Sequence, residues 1–194
     1  MTEIRILKGA ALRDALPDLA RLRITVFAEF PYLYDGSEDY ERRYLATYET
    51  SPGAVVVAAI SEGRVVGAAT GTPMEDHAVE FAAPLAAAGL APETCFYCAE
   101  SVLLPEFRGQ GLGHAFFDAR EAHARALGRR HAVFCAVVRP EDHPARPRGY
   151  RPLDGFWRKR GYAPIEGAFA HYSWTDIGDD GQTEKPMQLW SRTL

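Results

Sequence analysis

Residues 3–7 alternate between apolar and polar side chains and predict a first strand. Leu12, Leu16, Leu19, Leu22 and Val26 then recur at steps of three and four, the spacing of one helix face. Pro31 closes that helix, because a proline pushes the residue before it out of the helical region. An aromatic loop follows over 30–36, and Ser37 offers a side-chain oxygen to cap a second helix reaching about Tyr48. Valine-rich 54–60 and the segment 65–72 flank a turn at 61–64 and predict a β-hairpin. The alanine-rich stretch 73–92 predicts short helical turns only. Strand patterns return over 94–104 and 131–138, with helix spacing over 112–127 between them. Residues 140–152 hold four prolines and five charges, which excludes regular structure. A short helix over 153–160 ends at Gly161, and strands over 171–176 and 187–193 flank a polar turn at 178–181. Strands and helices in this mixed order predict an α/β (α+β) fold around one core.

At 194 residues the chain suits a single domain over 1–194. No apolar run nears the roughly 20 residues of a membrane helix, and the first ten residues mix charges without an apolar core. Neither a membrane span nor a secretory signal is expected, which predicts a cytoplasmic protein. The net charge of -4 argues against a nucleic-acid partner, which would favour a basic stripe. Cys95 and Cys98 form a C-x-x-C pair, but zinc needs two more ligands at matching spacing and no second pair exists. A redox pair would open a helix, whereas these cysteines fall in a strand, where residues three apart face opposite ways. Reduced strand cysteines and no metal are expected. His77, His143 and His171 have no ligand spacing either.

The informative stretch follows the strand at 94–104. Gly109, Gly111 and Gly113 stand at alternate positions and open a helix whose apolar residues include Leu112 and Phe116, with Gly128 placed to cap its far end. Glycines let backbone approach a ligand closely. The first helical N–H groups lack internal partners, and the helix dipole favours an anion there. A strand–glycine–helix unit is therefore a pyrophosphate site. A Walker loop would need Lys and Ser/Thr after the last glycine, and a dinucleotide fingerprint would need glycine where His114 stands.

Arg108-x-x-Gly111-x-Gly113 resembles the Arg/Gln-x-x-Gly-x-Gly/Ala signature of the GNAT superfamily of N-acetyltransferases. The run Val102-Leu103-Leu104-Pro105 before it is similar to that family's fourth strand, and 156–162 resembles its late helix ending in Gly-Tyr. The element order matches over most of the chain. The resemblance implies a mixed, mostly antiparallel sheet of about seven strands with helices on both faces. It implies acetyl-CoA as cosubstrate, with no metal. Arg108, Gly109, Gln110, Gly111, Leu112 and Gly113 would hold the pyrophosphate, and backbone near Val102, Leu103 and Leu104 would pair with the pantetheine arm like an added strand. The family splays its fourth and fifth strands to admit that arm.

Acetyl transfer to an amine needs a base, because an alkylammonium has a pKa near 10.4, and is helped by an acid for the departing thiolate. Glu100 is the candidate base, since a carboxylate in an apolar strand is costly without a role or a partner. The alternative is a Glu satisfied by backbone or by an Arg. Ser101 would bond the same water, and a backbone N–H near Val102 or Leu103 would polarise the thioester. The family pattern implies a Tyr four residues before the late glycine, where this chain has Trp157. Trp cannot serve as an acid, so Trp157 is left as a coenzyme contact or core residue, with Tyr150 or Tyr162 as substitute acids. The basic residues Arg146, Arg148, Arg151, Arg158, Lys159 and Arg160 read either as a phosphate site or as a solvated face. The acceptor is expected near the first two helices, where Glu29, Tyr32 and Tyr34, with Phe30, Asp35 and Glu38, would suit a cationic amine. The functional expectation is direct transfer in a ternary complex to a primary amine of a small molecule or peptide. The alternative is a non-catalytic acyl-CoA sensor. A homodimer through the last strands stays open.

Overall fold

The computed structural model describes residues 2–76 and 81–194, so His77 and part of the alanine-rich stretch lie outside the described residues. Among the described residues eight strands form one sheet: β1 (Thr2–Leu7), β2 (Val55–Ser61), β3 (Arg64–Pro73), β4 (Cys95–Tyr97), β5 (Ser101–Leu103), β6 (His131–Val137), β7 (Ala163–Thr175) and β8 (Gln182–Thr193). The spatial order is β1-β2-β3-β4-β6-β8-β7, with β5 also on β3. Every pairing is antiparallel except β4 with β6.

Helices cover both faces, and strand alternation dictates which residues they bury. Val55, Val57 and Ala59 of β2 face α4 (Leu112–Ala126) and α5 (Asp154–Lys159) in one core. Val56 and Ala58 face α1 (Gly9–Phe27) and α2 (Glu38–Thr50) in a second. A third core lies under α3 (Ala82–Ala87). Ser37 caps α2 as expected, its Oγ accepting from the Tyr40 N–H. Among the described residues, no helix is long and apolar enough to cross a membrane.

Two sequence expectations need correction. The strand expected over 94–104 is two strands, because Ala99 and Glu100 together oppose Thr70: the Ala99 N–H donates to the Thr70 carbonyl, and the Thr70 N–H to the Glu100 carbonyl. Two residues against one is a β-bulge. The strands expected at 171–176 and 187–193 are longer, at 13 and 12 residues, since β7 and β8 pair along their length except for a break between Pro164 and Phe169. The C-x-x-C sulfurs do part: Cys98 lies in the α4 core and Cys95 in the α3 core.

Candidate active site

The bulge opens the sheet. β4 runs parallel to β6 from Cys95/His131 to Tyr97/Val133, and the Cys98 N–H makes a last bond to the Val133 carbonyl at 2.8 Å. Beyond it β5 pairs with β3, while Phe134–Val137 pair with β8. β5 and β6 thus diverge. The Thr70 N–H bonds the Glu100 carbonyl and the Leu104 N–H bonds the Val66 carbonyl. Backbone groups alternate in direction along a strand. Even-numbered residues therefore spend theirs on β3, and the groups of Ser101 and Leu103 point into the gap. This corrects the expectation that Val102 and Leu104 present the free edge.

Arg120, only 1% exposed, secures the bulge from α4. Its Nη1 donates to the carbonyls of Glu100 (2.9 Å) and Thr70 (3.2 Å), and its Nη2 to Ser101 Oγ (2.8 Å). Ser101 therefore turns toward α4, while Glu100 turns to the α1/α2 face. The structure does not bring the two side chains to one water.

At the foot of the gap the chain turns into α4. Gly109 and Gly111 have φ of +76° and +83°, and a Cβ on either would meet nothing within 4 Å. Their need for glycine is conformational, and the space beside them is open for a ligand. Gly111 is the N-cap of α4, so the N–H groups of Leu112 and Gly113 have no intrahelical acceptor, while the His114 N–H turns back to the Gly111 carbonyl at 3.0 Å. Arg108 Nε donates to the Leu103 carbonyl at 3.0 Å, and its Nη1 lies 2.9 Å from Glu29 Oε2. Gln110 Nε2 donates to the Glu106 carbonyl, which braces the turn. Gly113 lies 3.5 Å, through a built Cβ, from Phe156 of α5.

On the other face, Glu100 is buried at 8% exposure. Arg23 Nη1 approaches its Oε2 at 2.6 Å, and the Tyr44 hydroxyl donates to the same oxygen at 3.0 Å. Oε1 is buried with no hydrogen-bond partner among the described residues. Arg23 also pairs through Nε with Glu41, which is fully buried, and lies over the rings of Phe27 and Tyr44. Burial opposes the charge of Arg23, but Glu100, Tyr44 and Glu41 outweigh it and hold the guanidinium protonated. Two carboxylates thus share one buried cation. Tyrosines complete the wall. Tyr48 bonds Tyr44 at 3.1 Å and accepts from Thr70 Oγ1 at 3.0 Å. Burial, then the nearby Cys135, Glu100 and Tyr150, pushes the Tyr32 phenol up.

The loop carrying Tyr32 is held from the far side of the sheet. Arg139 donates to the carbonyls of Pro31 and Tyr32, each at 2.8 Å, and forks onto Asp176. Lys185 reaches Asp176 at 3.0 Å, and Trp174 Nε1 donates to the Tyr32 carbonyl. Phe30 packs edge-on against Tyr150 at 4.8 Å and near His143 at 5.7 Å. The loop thus sets Phe30 against Tyr150, while Tyr32 packs on Phe27 and Trp174. Burial, then the nearby Glu41 carboxylate, pushes the Tyr34 phenol up.

Other candidates lie elsewhere. The Tyr162 hydroxyl donates to buried Glu121 at 3.0 Å, which leaves it no proton to offer at the gap. Trp157 packs on Phe134 and Trp190 at 4.9 and 5.1 Å. Arg160 is tied to Asp118 and Glu121, Arg158 lies over Trp190, and Arg146 lies over Tyr150, so the basic run is not one phosphate cluster. Sequence reasoning missed Arg23, Glu41 and Arg120. Each sits in the apolar phase of its helix: Arg23 four after Leu19, Glu41 four before Leu45, and Arg120 four after Phe116. A charge on that phase was the available signal.

The model of the Acetyltransferase (GNAT) family matches residues 20–162. No curated protein sequence matches the chain. Among solved structures, the chain is similar to yncA of Salmonella typhimurium, described as an acetyltransferase and solved with its cofactor acetyl-CoA, with 12% identity, a TM-score of 0.64 and coverage of 100% of this chain and 94% of that one. An N-acetyltransferase of Staphylococcus aureus Mu50 gives 13% identity, a TM-score of 0.63 and coverage of 100% and 98%. A ribosomal-protein-alanine N-acetyltransferase of Brucella melitensis gives 14%, 0.64, and 98% and 99%.

Proposed function

The chain belongs to the GNAT family of acetyltransferases, and from that premise we propose that it moves the acetyl group of acetyl-CoA directly to a primary amine in a ternary complex. One observation carries the reading: β5, which leaves β6 above a glycine turn at the start of α4, follows directly on Glu100, a buried carboxylate whose Oε1 has no hydrogen-bond partner among the described residues.

The open edge of β5 suits the pantetheine amides, which would bond Ser101 and Leu103 as an added strand does. The N–H groups at 109–113 and the start of α4 suit the pyrophosphate. Acetyl-CoA supplies the thioester. The acceptor enters from the α1/α2 face as an ammonium ion. Glu100 Oε1 takes its proton directly or through water, while Arg23 and Tyr44 hold Oε2 and fix the direction of Oε1. The amine nitrogen then attacks the carbonyl carbon, and a free backbone N–H of the β5 edge supports the oxyanion. The thiolate leaves. We assign Tyr150, beside Phe30, to give it a proton, and the phenol regains one from the nitrogen as the amide forms; burial pushes that phenol up.

A second reading, a coenzyme binder without turnover, draws on Trp157 and Tyr162, since neither offers a proton at the gap. Thermal unfolding with acetyl-CoA, against NADH and ATP, tests the coenzyme first. At 100 times its dissociation constant a ligand adds about 2.7 kcal/mol, or roughly 5 to 10 °C for a chain of this size. Thiol release with a panel of amines then separates enzyme from sensor. No shift with acetyl-CoA removes both readings.

A further inference from the structure

Arg108 and Glu29 join the two halves of the site. Arg108 belongs to the turn that suits the pyrophosphate. Glu29 follows α1 and precedes Phe30, whose ring packs on Tyr150, the phenol proposed above as the acid. The guanidinium bridges Glu29 Oε2 at 2.9 Å and the Leu103 carbonyl at 3.0 Å. That carbonyl lies on the edge where the pantetheine would bond. In the free protein, then, one cation caps an acceptor-side carboxylate and a coenzyme-side carbonyl together.

We propose that this bridge is a latch by which coenzyme binding unmasks Glu29 for a cationic acceptor. The inference rests on the acetyl-transfer reading above. Both side chains are nearly half exposed, 44% for Arg108 and 42% for Glu29, so the pair is held weakly. A pyrophosphate carries more charge than one carboxylate and presents it in the geometry an arginine fork matches. It draws the guanidinium away from Glu29. Glu29, left exposed without its cation, then takes the ammonium group of the incoming amine. Linkage makes the effect reciprocal: a coenzyme that raises acceptor affinity is itself bound more tightly when the acceptor is present.

The test uses calorimetric titration of coenzyme A into the wild type and Glu29→Gln, and of 2-phenylethylamine into each protein with and without coenzyme A. Glu29 is half exposed, so the variant keeps the fold. Releasing an exposed ion pair corresponds to a factor of about 1.5 to 5. Coenzyme A is expected to bind Glu29→Gln tighter by that factor. The amine is expected to bind the wild type tighter with coenzyme A than without it, and this enhancement disappears in Glu29→Gln. If Glu29 instead held Arg108 ready for the phosphate, the substitution would weaken coenzyme binding. Unchanged or weaker coenzyme binding overturns the latch. So does an amine enhancement that is absent from the wild type or survives the substitution. A wild type that binds no coenzyme A overturns the acetyl-transfer reading itself, and the latch falls with it.

Discussion

Arg23→Met and Glu100→Gln should separate the structural from the chemical role of the buried cluster. Arg23 is the one guanidinium shared by Glu41 and Glu100, whose side chains are 0% and 6% exposed. Removing it strands two buried carboxylates side by side. Breaking a buried pair from one side costs about 3–5 kcal/mol. At roughly 2–4 °C per kcal/mol for a chain of this size, Tm should fall by about 6–20 °C. Glu100→Gln is different. Arg23 keeps Glu41, and the cluster changes from two carboxylates against one cation to a balanced pair. The amide oxygen still accepts from Tyr44. The loss is then that of one charged hydrogen bond, about 1.5–3 kcal/mol at most, partly offset by removal of the excess charge. Turnover should respond in the opposite proportion. A missing general base costs on the order of 10²–10⁴-fold in rate. Circular dichroism melts give the first quantity, and thiol release per folded molecule gives the second. If Glu100→Gln lowers Tm as far as Arg23→Met and leaves kcat/KM unchanged per folded molecule, Glu100 is only the partner of an arginine and the base assignment fails.

Gly111→Asp should weaken acetyl-CoA binding by more than tenfold, since it sets an anion at the N-cap facing the pyrophosphate; equal affinity in a folded variant would put the coenzyme elsewhere. Acid should release the clamp on the Tyr32 loop. Burial raises the Asp176 carboxyl, but hydrogen bonds from Arg139 and Lys185 outweigh that and hold it below the ordinary 3.8. A depressed carboxylate contributes stability that is complete above the unfolded value and is lost as pH falls through the folded one. Urea midpoints should therefore drop more steeply below about pH 4 in the wild type than in Asp176→Asn, and parallel curves would deny the clamp its role. All three cysteines are buried, and burial pushes the Cys135 thiol up to about 11, so iodoacetamide at pH 8 should leave the native chain unmodified by intact mass.

Local patterns determined a great deal of this protein. The hairpin of β2 and β3, the Ser37 cap, the glycine turn and α4 all depend on contacts within a few residues, and their side-chain periods announce them. The turn is also where the family signature lies, so the family was legible before any coordinates. The register of β5 was not. Whether Ser101 and Leu103 or Val102 and Leu104 face the gap depends on one extra residue at the Ala99–Glu100 bulge. A one-residue slip reverses every backbone and side-chain direction after it. Glu100 stood out as a carboxylate in an apolar strand, but its partners come from α1 and α2, more than 50 residues earlier. Charges at apolar phases marked Arg23, Glu41 and Arg120 as unusual without saying what they would meet. A helix period fixes which face a residue takes. Only the packing of one helix against another, and of both against the sheet, decides that a guanidinium lies between two carboxylates, that Arg120 closes a bulge, and that Arg108 reaches Glu29 across 79 positions of sequence.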